Sequence, residues 1–534
     1  MGAKLTEAQQ TAGLKFDTAA ACKVWVRNLP LTNVVQAQFD LLGQVRLLNQ
    51  ATMVPAERFR MLELLREPVV FVQTELSKKY FNKPLPLAEA ERKSFQAVVA
   101  LWQELGTGYQ HCVQACLNED KDLAKHAAAA CHRALTCVGA GMVEHLRANY
   151  HFPTHYWQEL HTMFRHAEQL GVAETPVTDR TSRVKSERTC VGAYVAPMLL
   201  VLANPNEMFQ RQITMVARWV ERWAEKTVVL RTAPATTDKP ALLVDLASDR
   251  GAYRNSPPGA EPRWIDIDRL SHTVKKRVHF LRNGQSPVEL FLGEDCVQPA
   301  CEALLVLLYQ SWCDGRDVRS HPRRSTAALA QACSGFDAIH YYISGESFKQ
   351  PDPKSEVARH HRDEIATFGH VGKRDEAMHT LVHGYLIETW NIQNETVAGL
   401  RLMRPPGNPG ARLLPLQLVA VKPADSKTFI LAVVRWVVMA VGDDLTIGVR
   451  IFPGMPEPVG ARATGINARN EKFQQAFLIP ALPALQSPAS AILPPGWFRK
   501  DKVLEIFTTQ SSKIRLVDSL ERGYDFERVT FEIA

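Results

Sequence analysis

Nothing in this chain approaches the roughly 18–20 consecutive apolar residues that a membrane-spanning helix requires, so no helical span is expected. The start lacks a cationic segment leading into an apolar core and does not read as a secretory signal. Neither G-x-G-x-x-G nor G-x-x-x-x-G-K-[ST] occurs, which removes the two common glycine-rich phosphate cradles. No Ser/His/Asp grouping stands out in the sequence, and the chain is read as non-enzymatic. The ten cysteines are scattered and make no disulfide-dense block, so free thiols in a reducing cytosol are expected. Cys112 and Cys116 lie one helical turn apart, with Cys131, His132 and Cys137 downstream. A structural zinc needs four converging ligands, and the apolar neighbours here read as buried structural thiols instead. His155, His161 and His166 do not share a helix face, because five residues turn a helix by about 140°. His379 and His383 could share one but lack the glutamate of an H-E-x-x-H site. No metal and no resident cofactor are expected.

What the chain has is length, a modest basic excess and two contrasting halves. Its 534 residues suggest about three or four domains of roughly 100–200 residues. The 63 basic against 56 acidic residues give a net charge of +7, which favours an anionic partner without choosing among a nucleotide, nucleic acid or an acidic protein surface.

Residues 1–235 read as an all-α array. Val35, Phe39, Leu42, Val45 and Leu48 recur at spacings of three and four, the period of one helix face. Pro55 opens a second helix with Phe59, Leu62 and Leu65, which Pro68 is expected to interrupt. Phe95, Val98, Val99, Trp102 and Leu105 mark a third, stopping before Gly106 and Gly108, and further helices follow at 131–146, 155–170, 194–202 and 208–223. The succession resembles a helical-repeat array without a fixed period, a surface type that usually holds another protein. Residues 236–315 read as an α/β connector. It has strands at Ala241–Leu246 and Trp264–Ile267, a turn at Ser256–Gly259, a basic cluster Lys275-Lys276-Arg277 near a strand, and a helix from Pro299 to Trp312.

From Ser325 onward β signals dominate: Ala328–Cys333, Gly384–Trp390, Leu416–Val421, Phe429–Val438 and Leu445–Phe452, separated by turns, argue for an antiparallel barrel. Residues 316–470 are assigned to it, and 471–534 to a further small β unit that either closes the first barrel or packs against it.

Two short motifs carry the functional signal. One is Arg319-Ser320-His321-Pro322-Arg323 with Arg324 directly after; the other is Asn394-Glu395-Thr396-Val397-Ala398-Gly399. An arginine fork grips guanine O6/N7 or a phosphate in bidentate fashion. Asn and Thr donate and accept from a turn, and Gly admits close backbone approach. In the patterns R-x-x-x-R and N-x-T-x-x-G, together with Val433-Val434-Arg435-Trp436 and Ile447-Gly448-Val449-Arg450-Ile451-Phe452, residues 316–455 resemble a bacterial PilZ domain. The resemblance implies a cyclic di-GMP receptor. Arg319, Arg323 and Arg324 would form one side of the site, and Asn394, Thr396 and Gly399, with Asn394 in a turn, the other. The family serine is Thr396 here, which keeps the hydroxyl, and some seventy residues separate the motifs. An insertion at about 336–383, with a helix at Phe336–Ile343 and the charged stretch Lys354–Lys373, would account for the gap. Arg359, Arg362, Lys373 and Arg374 are nearer to Asn394 in sequence and compete for the arginine role.

The resemblance implies a cytoplasmic effector of motility or surface attachment, in which ligand contacts order the arginine loop and alter a surface on the helical half that holds an unidentified protein partner. Two other readings stand: a degenerate barrel acting as an interaction scaffold, or a basic barrel binding RNA or single-stranded DNA. For the last, Trp390 and Trp436 are the candidate platforms, although both sit in patterns that look like core.

Overall fold

The computed structural model of the chain describes residues 13–181, 187–235, 239–314, 324–325, 328–351, 384–464 and 471–534. It divides into two compact units, residues 1–83 with 87–319 and residues 84–86 with 320–534.

The first unit begins with α1 (Ala19–Arg27), α2 (Val34–Gln50), α3 (Pro55–Ser77), α4 (Glu89–Leu117), α5 (Ala127–Arg147), α6 (His155–Gln169), α7 (Cys190–Leu202) and α8 (Gln210–Trp223). The starts follow local chemistry. Thr18 and Asn33 accept from Ala21 N and Gln36 N at 3.3 Å each, and Thr189 accepts from Gly192 N at 3.0 Å. Pro55 occupies the first turn of α3, where its missing N–H costs nothing.

Three sequence expectations need correction here. The buried face of α2 is Ala37, Gln38, Leu41, Gln44, Val45 and Leu48, while Phe39 is 73% exposed and Val35 is exposed too. The face is rotated because the amide nitrogens of two glutamines find partners inside: Gln38 Nε2 donates to Ala97 O at 2.7 Å, and Gln44 Nε2 to Gly13 O at 3.1 Å. Pro68 does not interrupt α3, which runs through it to Ser77. Leu65, Val69 and Val72 on either side are locked in the core, which outweighs one lost backbone bond. Nor does α4 stop before Gly106; it continues to Leu117. A Cβ on Gly108 would collide with Leu62, so this glycine serves close helix packing rather than termination.

The same core extends into the connector through Leu242, Ile265, Leu304 and Trp312. Strands β1 (Val228–Leu230), β2 (Leu242–Asp245) and β3 (Pro262–Asp266) form an antiparallel sheet in the order β1-β3-β2. They are followed by α9 (Asp268–Arg282) and α10 (Ala300–Tyr309). The basic cluster lies on α9, with Arg277 5.2 Å from the Trp223 ring and Lys275 5.4 Å from Tyr309. The expectation of free thiols throughout is also corrected: Cys296 and Cys301 are disulfide-bonded, while the other eight cysteines are free and buried. Arg211 and Arg218 clamp the loop before α10 through Asp295 O and Leu292 O, at 2.9 and 2.8 Å, which holds Cys296 beside Cys301.

The second unit contains two closed antiparallel barrels. The first is built from β4 (Arg324–Ser325), β5 (Leu329–Ser334), β6 (Glu388–Thr396), β7 (Gly399–Arg404), β8 (Leu418–Pro423), β9 (Ile430–Met439) and β10 (Leu445–Ile451). Its six-stranded ring runs β6-β5-β8-β9-β10-β7 and closes by β6–β7 pairing, while β4 adds to β6. Trp390, only 1% exposed, is core as its strand pattern suggested. Helix α11 (Phe336–Ser344) follows β5 at the start of the expected insertion; the charged stretch 354–373, His379 and His383 lie outside the described residues.

The last block closes on itself as β11 (Glu457–Ala463), β12 (Gln474–Ile479), β13 (Ser490–Leu493), β14 (Val503–Phe507), β15 (Ser511–Arg522) and β16 (Glu527–Ile533), in the order β11-β12-β13-β16-β15-β14. It begins at Glu457, ahead of residue 471, and one apolar cluster including Ile339, Leu431, Phe452, Phe477 and Phe526 joins the two barrels. Among the described residues no helix is long and apolar enough to cross a membrane.

Candidate functional site

The β6–β7 hairpin carries the second motif. Strand β6 does not end before Asn394, as expected, but runs to Thr396; the turn is Val397-Ala398, and Thr396 pairs with Gly399 across it. The Thr396 hydroxyl donates to Gly399 O at 3.2 Å and accepts from Ala398 N at 3.3 Å, and Val397 at the tip is 89% exposed. Gly399 stands opposite Arg450, and a Cβ on it would overlap the Val449 carbonyl oxygen. Thr396 and Gly399 therefore already have structural work at this hairpin.

The first motif reaches the same hairpin. Arg324 pairs with Glu395 and Ser325 with Asn394, and β5 continues the line along β6 with Leu329 opposite Asn391. Arg324 is exposed. Arg319 and Arg323 lie outside the described residues, as do the competing Arg359, Arg362, Lys373 and Arg374. The seventy-residue gap thus does not keep the end of the arginine motif away from Asn394.

A register shift between Ile392 and Asn394 marks a bulge at Gln393. Ile392 stays buried opposite Leu402, and Asn394 falls opposite the partly exposed Arg401. Arg401 in turn opposes Gly448, and Gly448 opposes Trp436. Directly opposed residues of an antiparallel sheet share a face. Ser325, Asn394, Arg401, Gly448 and Trp436 therefore form a row across β4, β6, β7, β10 and β9. Trp436 is partly exposed, not core as its pattern suggested, and its indole covers Gly448, where a Cβ would collide with it. The Arg401 guanidinium carbon lies 5.8 Å from the Trp436 ring centroid. Arg401 went unnoticed in the sequence because the signal lies in the register: it is two residues past Gly399 on a strand whose neighbours Leu400 and Leu402 are buried.

Three other arginines of the barrel face carboxylates. Arg404 and Glu388 form a buried pair under Trp390, with Ala411 N donating to Glu388 Oε1 at 2.7 Å. Arg435 and Arg450, from the expected closing strands, both face Glu521 of β15. Among the described residues no group of His, Cys, Asp and Glu is arranged to hold a metal ion.

The helical unit has a cleft of about 470 Å³, walled by Gln73 of α3, Trp102 of α4, His132 of α5, Ala196 of α7 and Thr214 of α8. Several of its charges are paired: Arg147 with Glu144 at 2.7 Å, Arg188 with Glu221 at 2.9 Å, and Asp179 with Arg66 at 2.8 Å. Burial opposes ionisation of Asp179, but Arg66 and Arg133 prevail and hold its carboxyl well below the usual range. Burial, reinforced by Arg133, pushes the His132 imidazole down to about 3.

A helical array joined to a β-barrel with a motif-bearing hairpin, and then to a second closed barrel, defines a multidomain α+β architecture. Two family models match it in order: the N-terminal domain of the cyclic-di-GMP receptor FimW over residues 20–234, and the FimW C-terminal beta-barrel domain over residues 459–534. The two matched segments stand in the same order as in that family and together span more than half of the chain. A curated relative, the cyclic-di-GMP receptor FimW of Pseudomonas aeruginosa, is 24% identical in an alignment spanning 94% of this chain and 88% of the relative. The second model coincides with the second barrel, and the motif-bearing first barrel lies between the matched segments.

Proposed function

We propose that the chain is a cytoplasmic cyclic di-GMP-binding effector and not a catalyst, with its ligand held by Arg319, Arg323 and Arg324 on one side and Asn394, Thr396 and Gly399 on the other. The observation that carries this reading is the pairing of Arg324 and Ser325 with Glu395 and Asn394. Arg324 directly follows Arg323 in sequence, which supports a shared neighbourhood for the two motifs. The curated relative named as a cyclic-di-GMP receptor, similar along nearly the whole chain, supports the same ligand.

The physics is differential binding. Charge-assisted contacts from the arginine fork to phosphate or guanine favour the arrangement in which the arginine segment lies against the hairpin, so ligand shifts the population toward it. A ligand gripping the arginine segment would thereby alter a protein-interaction surface of the helical unit, for which the cleft beside Gln73 and Trp102 is the candidate. Control of motility or surface attachment is the output this reading assigns.

The test is isothermal calorimetry of the full chain with cyclic di-GMP. Saturable binding to the wild type is expected, and Arg323→Ala should lose about 1.5–3 kcal/mol, the worth of a charged hydrogen bond. No binding to the wild type would leave the scaffold reading in its place, and equal affinity in both proteins would remove Arg323 from the site.

A further inference from the structure

Arg401 is neither in R-x-x-x-R nor in N-x-T-x-x-G, yet it occupies the centre of the row that begins at Ser325 and Asn394. Three observations set it apart. It stands directly opposite Asn394 on one side and Gly448 on the other, so its side chain rises from the face that carries Asn394. Its guanidinium carbon is 5.8 Å from the Trp436 ring centroid, and the absence of a side chain at Gly448 leaves room for that indole. Its Nε is buried without a hydrogen-bond partner, and among the described residues no carboxylate pairs with it. By contrast Arg404 pairs with Glu388, and Arg435 and Arg450 face Glu521.

An arginine resting on an indole face loses little freedom when it binds, because the plane of its fork is already set. With Nε turned into the protein, the two terminal nitrogens are the donors left for a ligand beside Asn394. An arginine fork next to a carboxamide matches the acceptor-rich Hoogsteen edge of guanine, O6 and N7, or a phosphodiester oxygen pair. Neutralising arginines with carboxylates elsewhere in the barrel while leaving this one without any fits a site that takes an anion.

We infer that Arg401 is a further ligand-binding arginine of the first barrel, contacting a guanine edge or phosphate of the nucleotide next to Asn394, and that Trp436 is a positioning residue that acts through it. This rests on the receptor reading above but uses only described residues.

The experiment is calorimetry of the full chain with cyclic di-GMP on wild type, Arg401→Ala, Arg401→Lys, Trp436→Leu and the double variant Arg401→Ala/Trp436→Leu. Arg401→Ala should bind about 10- to 100-fold more weakly, as expected for loss of a charged contact, with its melting midpoint unchanged. Arg401→Lys should recover only part of the loss, since it restores the charge without the fork. Trp436→Leu should weaken binding less, and should weaken it no further in the Arg401→Ala background, a non-additivity that a purely structural tryptophan would not give. If Arg401→Ala does not fold, Arg401→Lys and Arg401→Gln make the same comparison. Wild-type binding with unchanged affinity in the arginine variants would overturn the inference while leaving the receptor reading intact; no wild-type binding would end both.

Discussion

Ser325 stands directly opposite Asn394 on the antiparallel ladder between β4 and β6, so the two residues that follow Arg323 in sequence, Arg324 and Ser325, lie across one strand pair from Glu395 and Asn394. That pairing ties the arginine segment to the hairpin before any ligand arrives. Replacing Ser325 with proline, which has no N–H to donate across the short β4–β6 ladder, should untie it. Ser325→Pro is expected to weaken cyclic di-GMP binding about tenfold in calorimetry while leaving the far-ultraviolet circular dichroism of the barrels unchanged. Wild-type affinity would show that the pairing does not prepare the site.

Gly399 separates stability from binding. Because a Cβ would overlap the Val449 carbonyl oxygen, Gly399→Ala must push β7 from β10. Overpacking of this kind costs about 1–3 kcal/mol, and chemical denaturation should show that loss in the absence of ligand. An unchanged midpoint would mean that the hairpin yields freely and that its glycine is there for the nucleotide alone.

The Glu388–Arg404 pair is enclosed beneath Trp390, and Glu388 also accepts from Ala411 N. Removing one member of a buried pair strands the other, at about 3–5 kcal/mol. Glu388→Ala should therefore destabilise the barrel unit severely in urea unfolding, and Glu388→Gln less, since it keeps an acceptor for Ala411.

His132 gives the helical unit a predictable response to acid. Its pKa in the folded chain lies near 3, with Arg133, Asp179, Arg66 and Arg188 around it, against about 6.5 when unfolded. As pH falls the unfolded form takes the proton first, so the stability present above pH 6.5 is lost progressively on the way toward pH 3. At pH 5 the loss from this residue is on the order of 2 kcal/mol. Unfolding of the wild type should be steeper in pH between 6.5 and 4 than that of His132→Gln, and identical slopes would show that His132 titrates normally.

The architecture was legible where periodicity and turn chemistry act alone. The strand-forming apolar runs of β9 and β10, and the apolar stripe of α4, announced the barrel and the array. Misreadings arose where tertiary context overrode a local rule. Gln38 and Gln44 are buried with their amide nitrogens donating to backbone carbonyls, which hydropathy does not register. Pro68 reads as a break in the sequence, yet packing on both sides carries α3 through it. In the candidate site, Asn394, Thr396 and Gly399 were visible as a motif, but Arg401 and the partial exposure of Trp436 depend on a bulge at Gln393 and on the pairing of four strands. No local window of sequence contains that register.

The central claim is that the arginine motif and the Asn394 hairpin hold the same ligand. A double-mutant cycle tests it most directly: calorimetric affinities for cyclic di-GMP of the wild type, Arg323→Ala, Asn394→Ala and the double variant. Groups that share one ligand should couple by about 0.5–3 kcal/mol, so that the double variant loses measurably less or more than the two single losses added together. Simple additivity, or Asn394→Ala binding as the wild type does, would contradict the account.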